Sequence, residues 1–325
     1  MQLAPNPELV ARFAAGLDRL VAADAGIGVA VSGGPDSLAL LLLAAAARPG
    51  KIEAATVDHA LRPESAAEAQ RVADLCGQLG VPHSILTAQW QAPPETAIQE
   101  RARAERYRLL RGWLDQRNLG ALATAHHLDD QAETLLMRLT RGAGVRGLAA
   151  IRPLGSVPGS RQKLVRPLLG WSRLELGQIC QAAGVDPVSD PSNDDEQFER
   201  VRMRRAMAEA DWLDPRALAR SAANLTMADV ALDWAAAREW DRSVDSSARG
   251  IAYRPGTAPR EIRRRIAARA VAMLATEGKG AGLRGREIDG LLGILRSGRA
   301  ATLRGVRCSG GEVWTFAPAP PRRRR

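Results

Sequence analysis

One nine-residue string limits what this chain can fold into: Val29–Ser37, VAVSGGPDS, set between the apolar run Ile27–Val31 and the apolar helical pattern Ser37–Ala47. Gly33 and Gly34 free the backbone to curl and aim successive N–H groups at one spot. The helix behind them adds the positive end of its dipole, and Ser32 and Ser37 add hydroxyl donors. Such a bend suits a phosphate chain. It lacks the GxxxxGK[ST] pattern, so no loop lysine holds terminal phosphates. Asp36 stands where a lysine would help, and a carboxylate beside phosphates requires a cation between them, which makes Asp36 the expected magnesium ligand. The alternative is purely structural, since Pro35 and Asp36 also suit the first turn of any helix.

Around this string the chain alternates apolar runs and helical patterns. Strand runs fall at Ile27–Val31, Ile52–Val57, Ser84–Ala88 and Leu119–Ala125. Helical spacing falls at 37–47, 65–79, 96–116 and 130–141. The rhythm predicts an α/β fold: a Rossmann-like, parallel-sheet N-terminal domain over 1–214, with ligands at the edge where the strands end. Residues 153–163 read as a mobile surface loop, 171–183 as a helix, 186–197 as acidic turns, and 198–210 as a helix bearing Arg200, Arg202, Arg204 and Arg205. Beyond Asp214–Pro215 a smaller, mostly helical, basic domain is expected over 215–318. It has helices at 216–240, 259–275 and 286–296, a hairpin pairing Ala301–Val306 with Glu312–Phe316, and a disordered basic tail at 319–325.

Charge supports that division. Residues 1–200 hold 21 basic and 23 acidic side chains, while residues 201–325 hold 25 and 13. The 43 arginines against 3 lysines reflect base composition, but the thinning of acids does not, and it points to a polyanionic partner for the second half. The 3 cysteines (Cys76, Cys180, Cys308) lie far apart, without zinc-ligand or CxxC spacing, as in a reduced, cytosolic protein. The apolar run Leu38–Ala47 is too short to span a membrane, and the N-terminus has no signal-peptide pattern.

SGGxDS after a strand resembles the loop of ATP pyrophosphatases, which split ATP between its α- and β-phosphates and adenylate a substrate oxygen. Three further strings resemble the tRNA(Ile)-lysidine synthetases within that group. They are Val57-Asp58-His59-Ala60-Leu61-Arg62, Thr124-Ala125-His126-His127-Leu128-Asp129-Asp130-Gln131-Ala132-Glu133-Thr134, and Arg141-Gly142-Ala143-Gly144-Val145-Arg146-Gly147-Leu148. Glu100–Tyr107, Arg166-Pro167-Leu168-Leu169 and Asp190-Pro191-Ser192-Asn193 followed by Arg200 add to the likeness, which is dense over about 25–210 and corresponds to the short form of that family.

The resemblance implies ATP and Mg2+, free L-lysine, and an isoleucine tRNA with a CAU anticodon whose first-position cytidine is modified; it also suggests a homodimer. The C2 oxygen of that cytidine would attack ATP, pyrophosphate would leave, and the lysine amine would then displace AMP. Ala30, Ser32, Gly33, Gly34, Pro35, Asp36 and Ser37 would hold ATP, with Asp58, His59 and Arg62 near the nucleotide. Asp129, Asp130 and Glu133 crowd one helix start, where a cationic amine and its proton can be handled, and His126 can orient the site or move a proton. Asp130 and Glu133 equally fit a helix capping box. His127 is expected to point elsewhere and be structural. Arg103 and Arg106 share a helix face directed to triphosphate or anticodon, unless solvated. Arg141, Arg146, Arg200, Arg204 and Arg205 are candidate tRNA phosphate contacts, and no tryptophan or tyrosine is assigned to base stacking. Two rivals remain: a tRNA thiolase on the same scaffold, which needs a reactive cysteine, and a non-catalytic nucleotide- and RNA-binding module.

Overall fold

The computed structural model describes residues 3–60, 64–90, 98–188, 197, 199–276, 283 and 285–320. Arg62, Asp190–Asn193 and the end of the tail, 321–325, lie outside the described residues. The chain forms two compact units, Met1–Gly142 with Gly147–Ala223, and Ala143–Arg146 with Asn224–Arg325.

In the first unit, β1 (Ile27–Ala30), β2 (Ile52–Asp58), β3 (His83–Thr87), β4 (Ala121–Ala123), β5 (Leu154–Ser156) and β6 (Lys163–Val165) form one sheet in the order β3-β2-β1-β4-β6-β5. All pairs are parallel except β5 with β6. The order reverses beside β1, which places a crevice outside the carboxyl ends of β1 and β4. β1 is buried throughout because both faces are covered. On one face α1 (Pro7–Asp18), α2 (Pro35–Ala47), α3 (Ser65–Leu79) and α7 (Arg173–Ala182) supply Phe13, Leu40, Val72 and Ile179. On the other, α4 (Ile98–Gln116) supplies Tyr107, Leu110, Trp113 and Leu114. Gly28 is required there, because a Cβ would meet the Trp113 ring at 2.6 Å and Leu114 at 2.8 Å.

The segment 153–163 is not the mobile loop its Gly, Pro and Ser suggested. Val157 N donates to Gln162 O and Ser160 N to Val157 O, with Gly159 at φ +74°, and this tight turn makes β5 and β6 an antiparallel edge of the sheet. The remaining helices of this unit are α5 (Leu128–Leu139), α6 (Val145–Leu148, crossing into the second unit's segment) and α8 (Glu199–Glu209).

The second unit carries the expected helices, as the latter part of α9 (Pro215–Ser243), α10 (Arg260–Leu274) and α11 (Gly285–Arg296). It also carries a five-stranded antiparallel sheet that the sequence did not suggest: β7 (Val244–Ser247), β8 (Gly250–Tyr253), β9 (Ala300–Leu303), β10 (Val306–Ser309) and β11 (Trp314–Pro318), in the order β7-β8-β11-β10-β9. The expected pairing of 301–306 with 312–316 is replaced by β10 pairing with both neighbours. The cause is the turn between β9 and β10, where Arg304 (φ 50°) and Gly305 (φ 74°) both take positive φ, as a two-residue hairpin turn requires. Tyr253, Ile266, Leu291, Trp314 and Phe316 fill the core between this sheet and its helices.

Candidate active site

The site is built where β1, β2 and β4 end. β1 runs into Ser32-Gly33-Gly34, and α2 starts at Pro35 with Gly34 as its N-cap. Gly33 takes φ +84°, a conformation that favours glycine, and its carbonyl accepts from Val188 N. Ser37 Oγ is 3.2 Å from Ser32 Oγ, accepts from Ser32 N at 3.1 Å and donates to Gly34 O at 2.9 Å, so the bend is pre-shaped by its own hydroxyls. Ala30, Ser32, Gly34, Asp36 and Ser37 line one wall of a cavity of about 290 Å3, closed by Arg106, Thr124, Ala125, His126, Asp130 and Arg200.

Asp36 points its Oδ1 into buried space without a hydrogen-bond partner, and its Oδ2 lies 3.5 Å from His127 Nε2. An orphaned carboxylate oxygen beside a phosphate loop fits a magnesium ion carried in by a nucleotide. Among the described residues no cluster of three or more metal-ligating side chains occurs, so an all-protein cage does not fit; Mg2+ bound to phosphates needs only one or two carboxylates.

His127 lines neither cavity, but it does not point away from the site as expected: it is packed against the site's carboxylates. It is buried, with Nδ1 3.4 Å from Asp129 Oδ2 and Nε2 3.5 Å from Asp36 Oδ2 and 3.6 Å from Asp130 Oδ2. Burial alone would lower its pKa, but the adjacent carboxylates of Asp129, Asp36 and Asp130 raise it to about 10, which favours the imidazolium at neutral pH. Its folded pKa exceeds the unfolded value of 6.5, so its contribution to stability is complete below pH 6.5 and is lost as pH rises through about 10. The melting temperature is therefore expected to fall across that window. Asp129→Asn, by removing the first of those partners, is expected to flatten the fall; an unchanged slope would show that His127 carries no such charge.

The neighbouring imidazole behaves oppositely. His126 Nδ1 lies 3.1 Å from Thr124 Oγ1. Burial pushes its pKa down to about 4, Asp130 opposes, and Arg166, Arg200 and Arg106 push it lower, so this ring is neutral. It lines both the loop cavity and a second one of about 590 Å3, whose lining includes Arg103, Arg138, Arg141, Arg166 and Arg200.

The carboxylates on α5 divide by partner. Asp130 Oδ2 accepts from His127 N at 3.0 Å, so the capping bond runs to His127 rather than through Glu133, and its Oδ1 lies 3.8 Å from Arg200 Nη1. Asp129 Oδ2 accepts from Arg173 N at 2.9 Å. Glu133, 2% exposed, is bound by Arg204 Nε at 2.9 Å and Arg200 Nε at 3.3 Å. Arg106 is half-buried and lines the loop cavity, its pKa lowered first by burial. Arg103 stacks over Tyr107 at 5.1 Å and lines the larger cavity. Asp58 Oδ1 accepts from Ala60 N at 2.8 Å; burial and then Arg106 lower the pKa of His59. Asp58 and His59 do not line the loop cavity. Arg141 is ion-paired with Glu199, Arg146 lies in the second unit on Asp233 and Asp229, and Arg205 is exposed.

Comparison with known proteins agrees with this geometry. Residues 8–210 match the PP-loop domain model. The tRNA(Ile)-lysidine synthase of Zymomonas mobilis is 42% identical over 300 residues, covering 92% of this chain and 90% of its own. This chain belongs to the tRNA(Ile)-lysidine synthase family. A second tRNA(Ile)-lysidine synthase, from Novosphingobium aromaticivorans, is 46% identical over 297 residues, 91% of this chain and 89% of its own. Among solved structures, the U34-tRNA thiolase NcsA from Methanococcus maripaludis matches with a TM-score of 0.55 at 15% identity, covering 66% of this chain and 77% of that one, a likeness of fold alone. Sequence reasoning missed His127 because adjacent histidines look redundant until the turn after β4 sends their rings to opposite environments.

Proposed function

We propose that the chain ligates free lysine to C2 of the first anticodon cytidine of an isoleucine tRNA with a CAU anticodon. The observation that carries the proposal is the pair of adjoining cavities, one on the phosphate loop and one lined by arginines, with the neutral His126 common to both. ATP on the loop exposes its α-phosphorus to a base entering from the second cavity. The cytidine C2 oxygen attacks it, pyrophosphate leaves, and the loop N–H groups with Ser32 and Ser37 receive the phosphate charge. Asp36 would hold a Mg2+ ion, which would add further neutralisation of that charge. The lysine side-chain amine then attacks C2, and AMP departs with the former C2 oxygen.

A lysine amine is protonated at neutral pH and needs a carboxylate to receive it and a base to take its proton. Asp130 fits that role best, because among the described residues it and Asp36 are the acids lining the loop cavity, while Glu133 is already held by Arg204. His126, its ring oriented by Thr124, lines the same cavity as a positioning group. The excess of basic over acidic residues beyond 200 supports tRNA backbone binding by that half. The deciding assay supplies ATP, magnesium, lysine and the tRNA, then weighs the anticodon fragment. A gain of lysine less one water is expected; intact RNA without the gain overturns the proposal.

A sulfur-transfer reaction is disfavoured by the thiols. Cys76, Cys180 and Cys308 are all buried, and burial pushes them up to about 12, 11 and 11. Cys180 Sγ donates to Pro35 O behind the loop. None lines either cavity. Replacing all three with alanine is expected to leave lysine incorporation within about threefold of wild type with a lower melting temperature, because buried thiols act as small apolar groups. Loss of activity from a fully folded triple variant would favour sulfur chemistry.

A further inference from the structure

The larger cavity has an unusual charge balance. Arg103, Arg138, Arg141, Arg152, Arg166 and Arg200 line it, and among the described residues no aspartate or glutamate does. Arg141 and Arg200 are neutralised from outside the lining, by Glu199 and by Glu133 with Asp130. Arg138 and Arg166 are held differently. Arg138 Nη1 donates to the carbonyls of Gly147 at 2.7 Å and Ala150 at 3.0 Å, and Arg166 Nη1 to the carbonyl of Arg152 at 2.7 Å. Carbonyl acceptors aim a guanidinium without cancelling its charge. Arg166 Nε is in addition buried with no hydrogen-bond partner. Two aimed, half-buried cations in one cavity, with no acid among its described lining residues, form a site for an anion. At about 590 Å3 the space exceeds a single phosphate and suits a nucleotide.

We infer that Arg138 and Arg166 grip the phosphodiester groups flanking the cytidine that enters this cavity, positioning its base at His126. The inference rests on the proposed tRNA modification, because a base turned out of its stack is placed by fixing the backbone on either side. Both residues are positioning residues. The competing source of the same chemistry is the triphosphate of ATP.

The test measures binding without lysine, so its outcome is independent of whether lysine is incorporated. An anticodon stem-loop RNA is titrated against wild type and Arg166→Gln over a range of salt, alongside versions in which a neutral methylphosphonate replaces either linkage flanking the cytidine. Arg166→Gln is expected to bind the natural RNA about tenfold more weakly, with the salt slope reduced by about 1. ATP affinity is expected to stay unchanged. At one of the two linkages the methylphosphonate is expected to weaken wild type but add nothing to the variant. Arg166→Lys, which keeps the charge, is expected to recover the salt slope but not the full affinity. Arg138→Gln is compared in the same way at the other linkage. Equal methylphosphonate penalties in wild type and variants at both linkages would overturn the inference. So would a fall in ATP affinity with RNA affinity intact, which would assign the cavity to the triphosphate.

Discussion

Asp36→Asn is expected to cut tRNA-dependent pyrophosphate release by at least about 1,000-fold, roughly 4 kcal/mol of transition-state stabilisation, while leaving the fold intact. The substitution keeps shape and volume and removes only the charge. In the folded protein that charge has one described partner, His127 Nε2 at 3.5 Å, and its Oδ1 is buried without a hydrogen bond. His127 retains Asp129 at 3.4 Å and Asp130 at 3.6 Å, so the imidazolium is not stranded. On the proposed function the large loss belongs to the reaction, where a neutral amide would not hold a cation offsetting the phosphates. Two measurements decide it: pyrophosphate release at saturating ATP, and thermal melting. Activity within tenfold of wild type from a folded variant would remove Asp36 from the metal role; a collapse in melting temperature would make it a structural residue.

The second large effect lies in the other unit. Arg265→Met is expected to destabilise the C-terminal unit by about 3–5 kcal/mol, the usual consequence of stripping one partner from a buried ionic network. Arg265 is itself buried. Its Nη2 binds Asp229 Oδ1 at 2.5 Å, its Nη1 binds Asp233 Oδ1 at 2.6 Å and the Asp229 carbonyl at 3.2 Å, and its Nε binds Glu261 Oε1 at 2.9 Å. Asp229 is 0% exposed, and without Arg265 it keeps Arg146 at 3.5 Å. Methionine fills much of the space but leaves the carboxylate desolvated. The double variant Arg265→Met with Asp229→Leu is expected to regain most of the loss, because an apolar replacement of the whole pair is often neutral. Denaturant unfolding followed by Trp240 and Trp314 fluorescence reads both variants. Wild-type stability in the single variant would show that water reaches Asp229. The same network gives Arg146 a structural partner set, which explains why its place in a basic motif pointed to RNA without revealing the Asp233 contact.

The alternating strands and helices, the phosphate bend and the acidic start of α5 were legible from residues alone, because each is written in a local pattern along the chain. Buried strands read as apolar runs, a glycine pair between strand and helix has few other uses, and Asp129, Asp130 and Glu133 lie within one helical turn or two. What only the tertiary structure decided were the partners brought from distant segments. α8 delivers Arg204 to Glu133 across 71 residues of sequence, and the turn after β4 hands His127 to Asp36 while leaving His126 neutral. The same holds for β7–β11, whose short, partly polar strands pair only once hairpin turns and the helices behind them bury one face. Local periodicity encodes which face of an element is apolar, whereas the charge state of a buried group depends on whichever side chains folding packs around it.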